Sequence, residues 1–122
     1  MAQLRPLDSN FPITRQLAIT ASPAVLVNVF TVDAADIDAL LKAWESDALW
    51  MKQQPGFIST QLHRAIGDSY VFMNYAVWES VGHFRQAFTN PTFQNALAAY
   101  PESAVISPHL FQKMTVANLC VA

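Results

Sequence analysis

Residues 24–32 read AVLVNVFTV, a run dense in β-branched side chains, which predicts a strand. Its apolar residues fall on both parities. Leu26, Phe30 and Val32 alternate with Val25, Val27 and Val29, so both faces of the strand are expected to be buried. The period then changes. Ile37, Leu40, Leu41, Trp44, Ala48 and Met51 recur at helical spacing. They predict a helix over 34–53, with Asp33 as its N-cap and Asp36 and Asp38 suiting the dipole of its first turn. Pro55-Gly56 ends it. A second strand follows over 57–66, Gly67-Asp68 marks a turn, and a third strand runs to Trp78 from Ser69 or Tyr70. Ser80 is a good N-cap for the next helix, through Phe84, Ala87 and Phe88. Asn90-Pro91 interrupts that helix and opens a further piece to about residue 99. Residues 100–108, marked by Pro101 and Pro108, read as loop, and 109–117 as a last strand.

The order is βαββαβ, a ferredoxin-like arrangement in the α+β class: a four-stranded antiparallel sheet with two helices on one face. That leaves the second sheet face uncovered although its residues are apolar. A second copy of the same sheet would cover it, giving a two-fold homodimer. Residues 1–23 carry three prolines, at 6, 12 and 23, and read as an arm lying on the domain or on a partner, with 13–20 as a short edge strand. The domain itself is placed at 24–117, and 118–122 form a tail.

Composition sharpens the dimer expectation. Of the 122 residues, 52% are apolar and only 13% charged, against roughly 25% charged in an ordinary domain. No apolar run approaches the roughly 18–20 residues of a membrane span, so a large subunit interface is the better explanation. The net charge of −2 and the lack of a basic cluster argue against nucleic acid and against a polybasic membrane anchor. Cys120 is the single cysteine and has no internal disulfide partner. The N-terminal stretch has no continuous apolar core of a secretory signal, so a cytoplasmic setting is expected.

One residue in the third strand is out of character. FMNYAVWES places Asn74 in an apolar run, four residues before Trp78, and a buried amide costs stability unless its hydrogen bonds are met. If Gly67-Asp68 is a two-residue turn, Asn74 lies opposite Gln61, Phe72 opposite His63, Ala76 opposite Ser59, and Trp78 opposite Phe57. These eight then share one face, and Leu62, Ile58, Met73, Tyr75, Val77, Thr60 and Arg64 lie on the other. An aromatic wall with a few convergent polar groups is what a small-molecule pocket requires. The alternative is a structural Asn74–Gln61 pair with Trp78 as packing.

Other machinery is absent from the sequence pattern. His63, His83 and His109 are far apart and form no metal-binding spacing. Three glycines make no phosphate-binding loop, and no serine sits in a nucleophile elbow.

QQPGFISTQLH and VFMNYAVWES, after VLVNVFTV and an amphipathic helix, resemble the antibiotic biosynthesis monooxygenase family over about 24–117. The resemblance implies a dimeric α+β barrel of two ferredoxin-like subunits. It is nearest to cofactor-independent members that oxidise phenolic polyketides to quinones. It implies a site between sheet and helices that uses Asn74 and Trp78. Where those members carry a tyrosine this chain has Phe84, and their arginine falls near Leu97 and Ala98. A haem-degrading branch of the fold resembles the chain at Asn28, but its tryptophan and histidine ligand fall at about Ala87 and Leu97. The expected function is therefore oxidation of a small phenolic or hydroquinone-type aromatic by O2 without a cofactor. Asn74, Trp78 and His63 would be the catalytic groups, with His63 as base. Asn28, Trp44, Phe57, Gln61, Phe72, Phe84 and Phe88 would bind substrate. A binding-only or structural dimer is the rival reading, and haem binding the third.

Overall fold

The computed structural model describes residues 2–122. The sheet contains β1 (Gln3–Leu4), β2 (Ala24–Thr31), β3 (Phe57–Arg64), β4 (Val71–Trp78) and β5 (Val105–Phe111), in the order β1-β5-β2-β4-β3. The last four strands pair with one another antiparallel, in the ferredoxin-like order. The sheet has five strands rather than four because Gln3–Leu4 adds in parallel to β5.

Helices α2 (Ile37–Met51) and α3 (Val81–Phe88) join the inner sheet face in two apolar clusters, and α4 (Pro91–Ala96) follows α3. One gathers Leu26, Ala76, Trp78, Val81 and Phe84. The other gathers Phe30, Leu40, Phe72, Tyr100 and Ile106. Ser80 caps α3 as expected, its Oγ accepting from His83 N at 3.1 Å, and Asn90 caps α4 through Thr92 N at 2.8 Å. Asp33 does not cap α2 through its side chain. A 3-10 turn over Ala34–Asp36 precedes that helix. Ser103 closes this end instead, donating to Asp36 at 2.7 Å and accepting from Asp33 N at 3.1 Å.

The N-terminal segment differs from the expected edge strand. Ile13–Gln16 form a helical turn, α1, and Gln16 serves the sheet with its side chain. Its Oε1 accepts from Leu110 N at 2.8 Å and its Nε2 donates to Leu110 O at 2.9 Å, imitating a neighbouring strand. The segment is bound to its own domain, since Arg85 donates to Leu17 O and Val81 N to Ala21 O.

The last strand lies at 105–111 rather than 109–117, so Pro108 is inside it. Ala104 O and Ile106 O accept from Gln3 N and Arg5 N, and Leu110 bonds Gln16. Even-numbered residues of β5 thus turn their backbone groups toward the outer edge. Pro108 shares that parity, so its missing N–H removes nothing from the β2 ladder, the condition for proline in a strand.

Gly56 sets the entry to β3. Its φ is +86°, and a Cβ there would lie 2.3 Å from the His83 ring. Only glycine combines that conformation with such close packing. Among the described residues no helix is long and apolar enough to cross a membrane.

Candidate functional site

The β3–β4 hairpin decides which side chains meet. Phe57 does lie opposite Trp78, but a bulge between Phe57 and Ser59 adds one residue. Beyond it the pairs are Thr60↔Ala76, Gln61↔Tyr75, Leu62↔Asn74 and His63↔Met73. The connection is also longer than two residues, with Ala65 N bonded to Val71 O. The expected register is therefore off by one, and every β3 side chain past the bulge changes face. Gln61 and His63 lie on the outer face, both exposed. His63 Nδ1 is 3.3 Å from Met73 O. Neither lines the cavity between sheet and helices. Thr60, expected outside, is inside, and its hydroxyl donates to Asn74 Oδ1 at 2.5 Å.

That bond answers the question of the odd amide. The carbonyl of Asn74 is satisfied by Thr60, which directs the amide N–H groups away from it. Asn28 pairs directly with Asn74 across β2 and β4, so the two amides stand side by side on the inner face. Both line a cavity between sheet and helices with Trp44, Asp47, Thr60, Trp78 and Tyr100. The cavity itself measures about 70 Å³, well below the roughly 300–1,000 Å³ of formed small-molecule sites, so side chains of its wall must shift to admit a ring.

Part of the cavity wall is a chain of aromatic rings. Phe57 meets Trp78 edge-on at 5.4 Å, Trp78 meets Phe84 at 5.7 Å, Phe84 meets Phe88 at 5.3 Å, and Phe88 meets Phe93 at 5.5 Å between centroids. Such contacts hold rings in fixed orientation. Of the expected binding residues, Asn28, Trp44, Phe57, Phe84 and Phe88 line the cavity with Asn74 and Trp78. Phe72 does not. It packs in the second core cluster, with the Arg64 guanidinium over its ring at 5.3 Å.

The wall also holds a polar pair, Asp47 and Tyr100, which the sequence reading missed. Asp47, on α2, is only 8% exposed. Burial raises its pKa above the usual carboxylate range, partly offset by a hydrogen bond from the Tyr100 hydroxyl. Tyr100 is itself buried and stacks on Phe30 at 6.3 Å. Burial, then the Asp47 charge and their hydrogen bond, push its pKa far above the ordinary tyrosine range. Asp47 Oδ2 and Asn28 Oδ1 are buried acceptors with no partner among the described residues. One signal of Asp47 was visible: it lies three residues after Trp44 and four before Met51, a carboxylate on the apolar stripe of a helix.

The cavity lining contains no histidine or cysteine. The described residues hold no group of three or more metal-binding side chains.

A family model, antibiotic biosynthesis monooxygenase, matches residues 23–99, which include both asparagines and Trp78. The chain belongs to the antibiotic biosynthesis monooxygenase family. Among solved structures it is similar to SnoaB, a cofactor-independent oxygenase from Streptomyces nogalater. The two are 26% identical over 80% of this chain and 99% of that one, with a TM-score of 0.71. A candidate monooxygenase from Shewanella loihica PV-4 is 34% identical over 81% and 100%, at a TM-score of 0.67. A candidate antibiotic biosynthesis monooxygenase from Caulobacter crescentus CB15 shares the fold, at 20% identity over 72% and 88% and a TM-score of 0.62. No curated protein matches the sequence. In this member of the family, Thr60, Asp47 and Tyr100 complete the cavity wall beside the two asparagines.

Proposed function

We propose that the protein is a cofactor-independent monooxygenase that oxidises a small phenolic or hydroquinone-type aromatic with O2. The observation that carries this reading is the cavity beside Asn74. Aromatic rings line it, and the Asn28–Asn74 pair lies on its sheet side.

The chemistry asks little of the protein in the way of reactive groups. An electron-rich phenolate passes one electron to O2, and the resulting radicals combine at a ring carbon. Loss of water from the peroxide leaves a carbonyl. One oxygen atom enters the quinone and the other leaves as water. The protein must exclude water, orient the ring and favour the oxyanion. The Asn74 amide and the Trp78 indole N–H are donors suited to that oxygen, and the rings from Phe57 to Phe93 suit a flat aromatic.

We further infer that the protein works as a homodimer joined through the outer sheet face. Val27, Val29, Met73, Tyr75 and Val77 share that face by strand parity, and Tyr75 is 41% exposed. Sedimentation at falling concentration tests this, and a monomer at micromolar concentration would refute it.

Oxygen uptake with a panel of hydroquinones, naphthols and anthrones tests the main reading. Turnover by the wild type and a loss of roughly a hundredfold or more in Asn74→Ala is the expected result, the size seen when one oxyanion donor is removed. Binding of these aromatics without oxygen uptake would favour a ligand-binding protein of the same fold.

A further inference from the structure

The geometry points to Asp47 as the base that takes the proton from the substrate hydroxyl, with Tyr100 as the residue that positions it. This rests on the reading of the cavity as a phenol-oxidising site and adds the group that the reading lacks.

Neither Asn74 nor Trp78 can accept a proton at neutral pH. His63, the one base suggested by the strand pattern, faces the other side of the sheet. Among the cavity-lining residues only Asp47 and Tyr100 titrate. Tyr100 is held protonated by burial and by the neighbouring carboxylate. Asp47 is the remaining candidate, and its environment fits the task. Its Oδ2 is buried in the wall with no hydrogen-bond donor. A buried unpaired acceptor is costly, and a ligand hydroxyl would satisfy it. Asn28 Oδ1 is unpaired in the same wall, so both orphans ask for a ligand that donates. A buried carboxylate whose affinity for protons exceeds that of a solvated one is the better base at neutral pH.

The step moves one proton and no electrons. The O–H bond of the substrate breaks, an O–H bond forms on Asp47 Oδ2, and the phenolate oxygen keeps the electron pair. Tyr100 donates to Asp47, favouring the ionised form that is competent to accept.

The test uses the full chain and two readouts. In oxygen uptake with the phenol panel, wild type should show an acid limb in kcat/KM that reports Asp47. Asp47→Asn should lower kcat/KM by roughly 10²-fold or more and abolish that limb. Tyr100→Phe removes a bond that lowers the Asp47 pKa, so its limb should move to higher pH. Asp38→Asn, an exposed carboxylate on the same helix, should change nothing. The second readout does not need turnover. Wild type should bind 2-naphthol about tenfold or more tightly than its methyl ether, and Asp47→Asn should lose that preference. If wild type consumes no oxygen but shows the preference, the monooxygenase reading falls while Asp47 stands as the hydroxyl acceptor. An equal preference in Asp47→Asn, or an unchanged rate and pH profile, would overturn the proposal, and so would a failure of 2-naphthol to bind.

Discussion

On the inner face of the sheet the polar residues Asn28, Thr60 and Asn74 are held among rings beneath three helices. On the outer face Gln61 and His63 stand exposed beside Met73 and Tyr75. The same two strands, β3 and β4, supply both sets. Residue type therefore says little about role in this hairpin. A histidine, the most versatile of the groups, lies away from the cavity, and a threonine in the cavity wall fixes the orientation of an amide. What separates them is one extra residue at the bulge after Phe57.

The comparison can be broken most forcefully at Trp78, which is 1% exposed and packed between Phe57 and Phe84. Trp78→Ala should cost about 3–5 kcal/mol of stability, read by urea denaturation. A loss under 1 kcal/mol would mean that the inner face is not packed as described.

Thr60→Val keeps the shape and removes the donor to Asn74 Oδ1. It should cost about 1–2 kcal/mol and reduce oxygen uptake more than stability. Equal stability and full turnover would show that Thr60 does not orient the amide.

The buried carboxylate gives a pH signature that no outer-face residue shares. Because the pKa of Asp47 is raised in the folded state, the native protein keeps a proton that the unfolded chain has lost. That contribution to stability is complete below about pH 4, the ordinary aspartate value, and is lost as pH rises through the raised value. Asp47→Asn lacks the effect. Its stability relative to wild type should therefore improve with rising pH, by at most about 1.4 kcal/mol per pH unit for one proton. Parallel stability profiles of the two proteins from pH 4 to 8 would contradict it.

The smallest effects should fall on the exposed outer residues. Gln61→Ala and His63→Ala should each lie within about 0.5 kcal/mol of wild type and within about twofold in oxygen uptake. A large loss of turnover in His63→Ala would return that residue to the site and overturn the observed register.

Much of the fold was legible along the chain. The two-sided apolar run of β2, the helical spacing from Ile37 to Met51 and the Ser80 cap all act between near neighbours in sequence, so their pattern is local. The same holds for Asn74 and Trp78, which share a face of one strand by alternation alone. The errors have a common cause. The bulge, the placement of Pro108 within β5 and the helical turn at 13–16 depend on what lies beside the chain. Gln16 completes the edge of β5 from more than ninety residues away, and no local period records that.

By itself, then, the sequence determined the element order from β2 onward, the family and the inner-facing set of β4, because periodicity and turn chemistry are written in consecutive residues. The tertiary structure decided the partner of Asn74, the exclusion of Gln61 and His63, and the meeting of Asp47 with Tyr100. Register is set where two strands pair, and a one-residue shift reverses every side chain. The proton affinity of a carboxylate is set by the water and dipoles around it, and for Asp47 these come from helix, loop and sheet brought together only on folding.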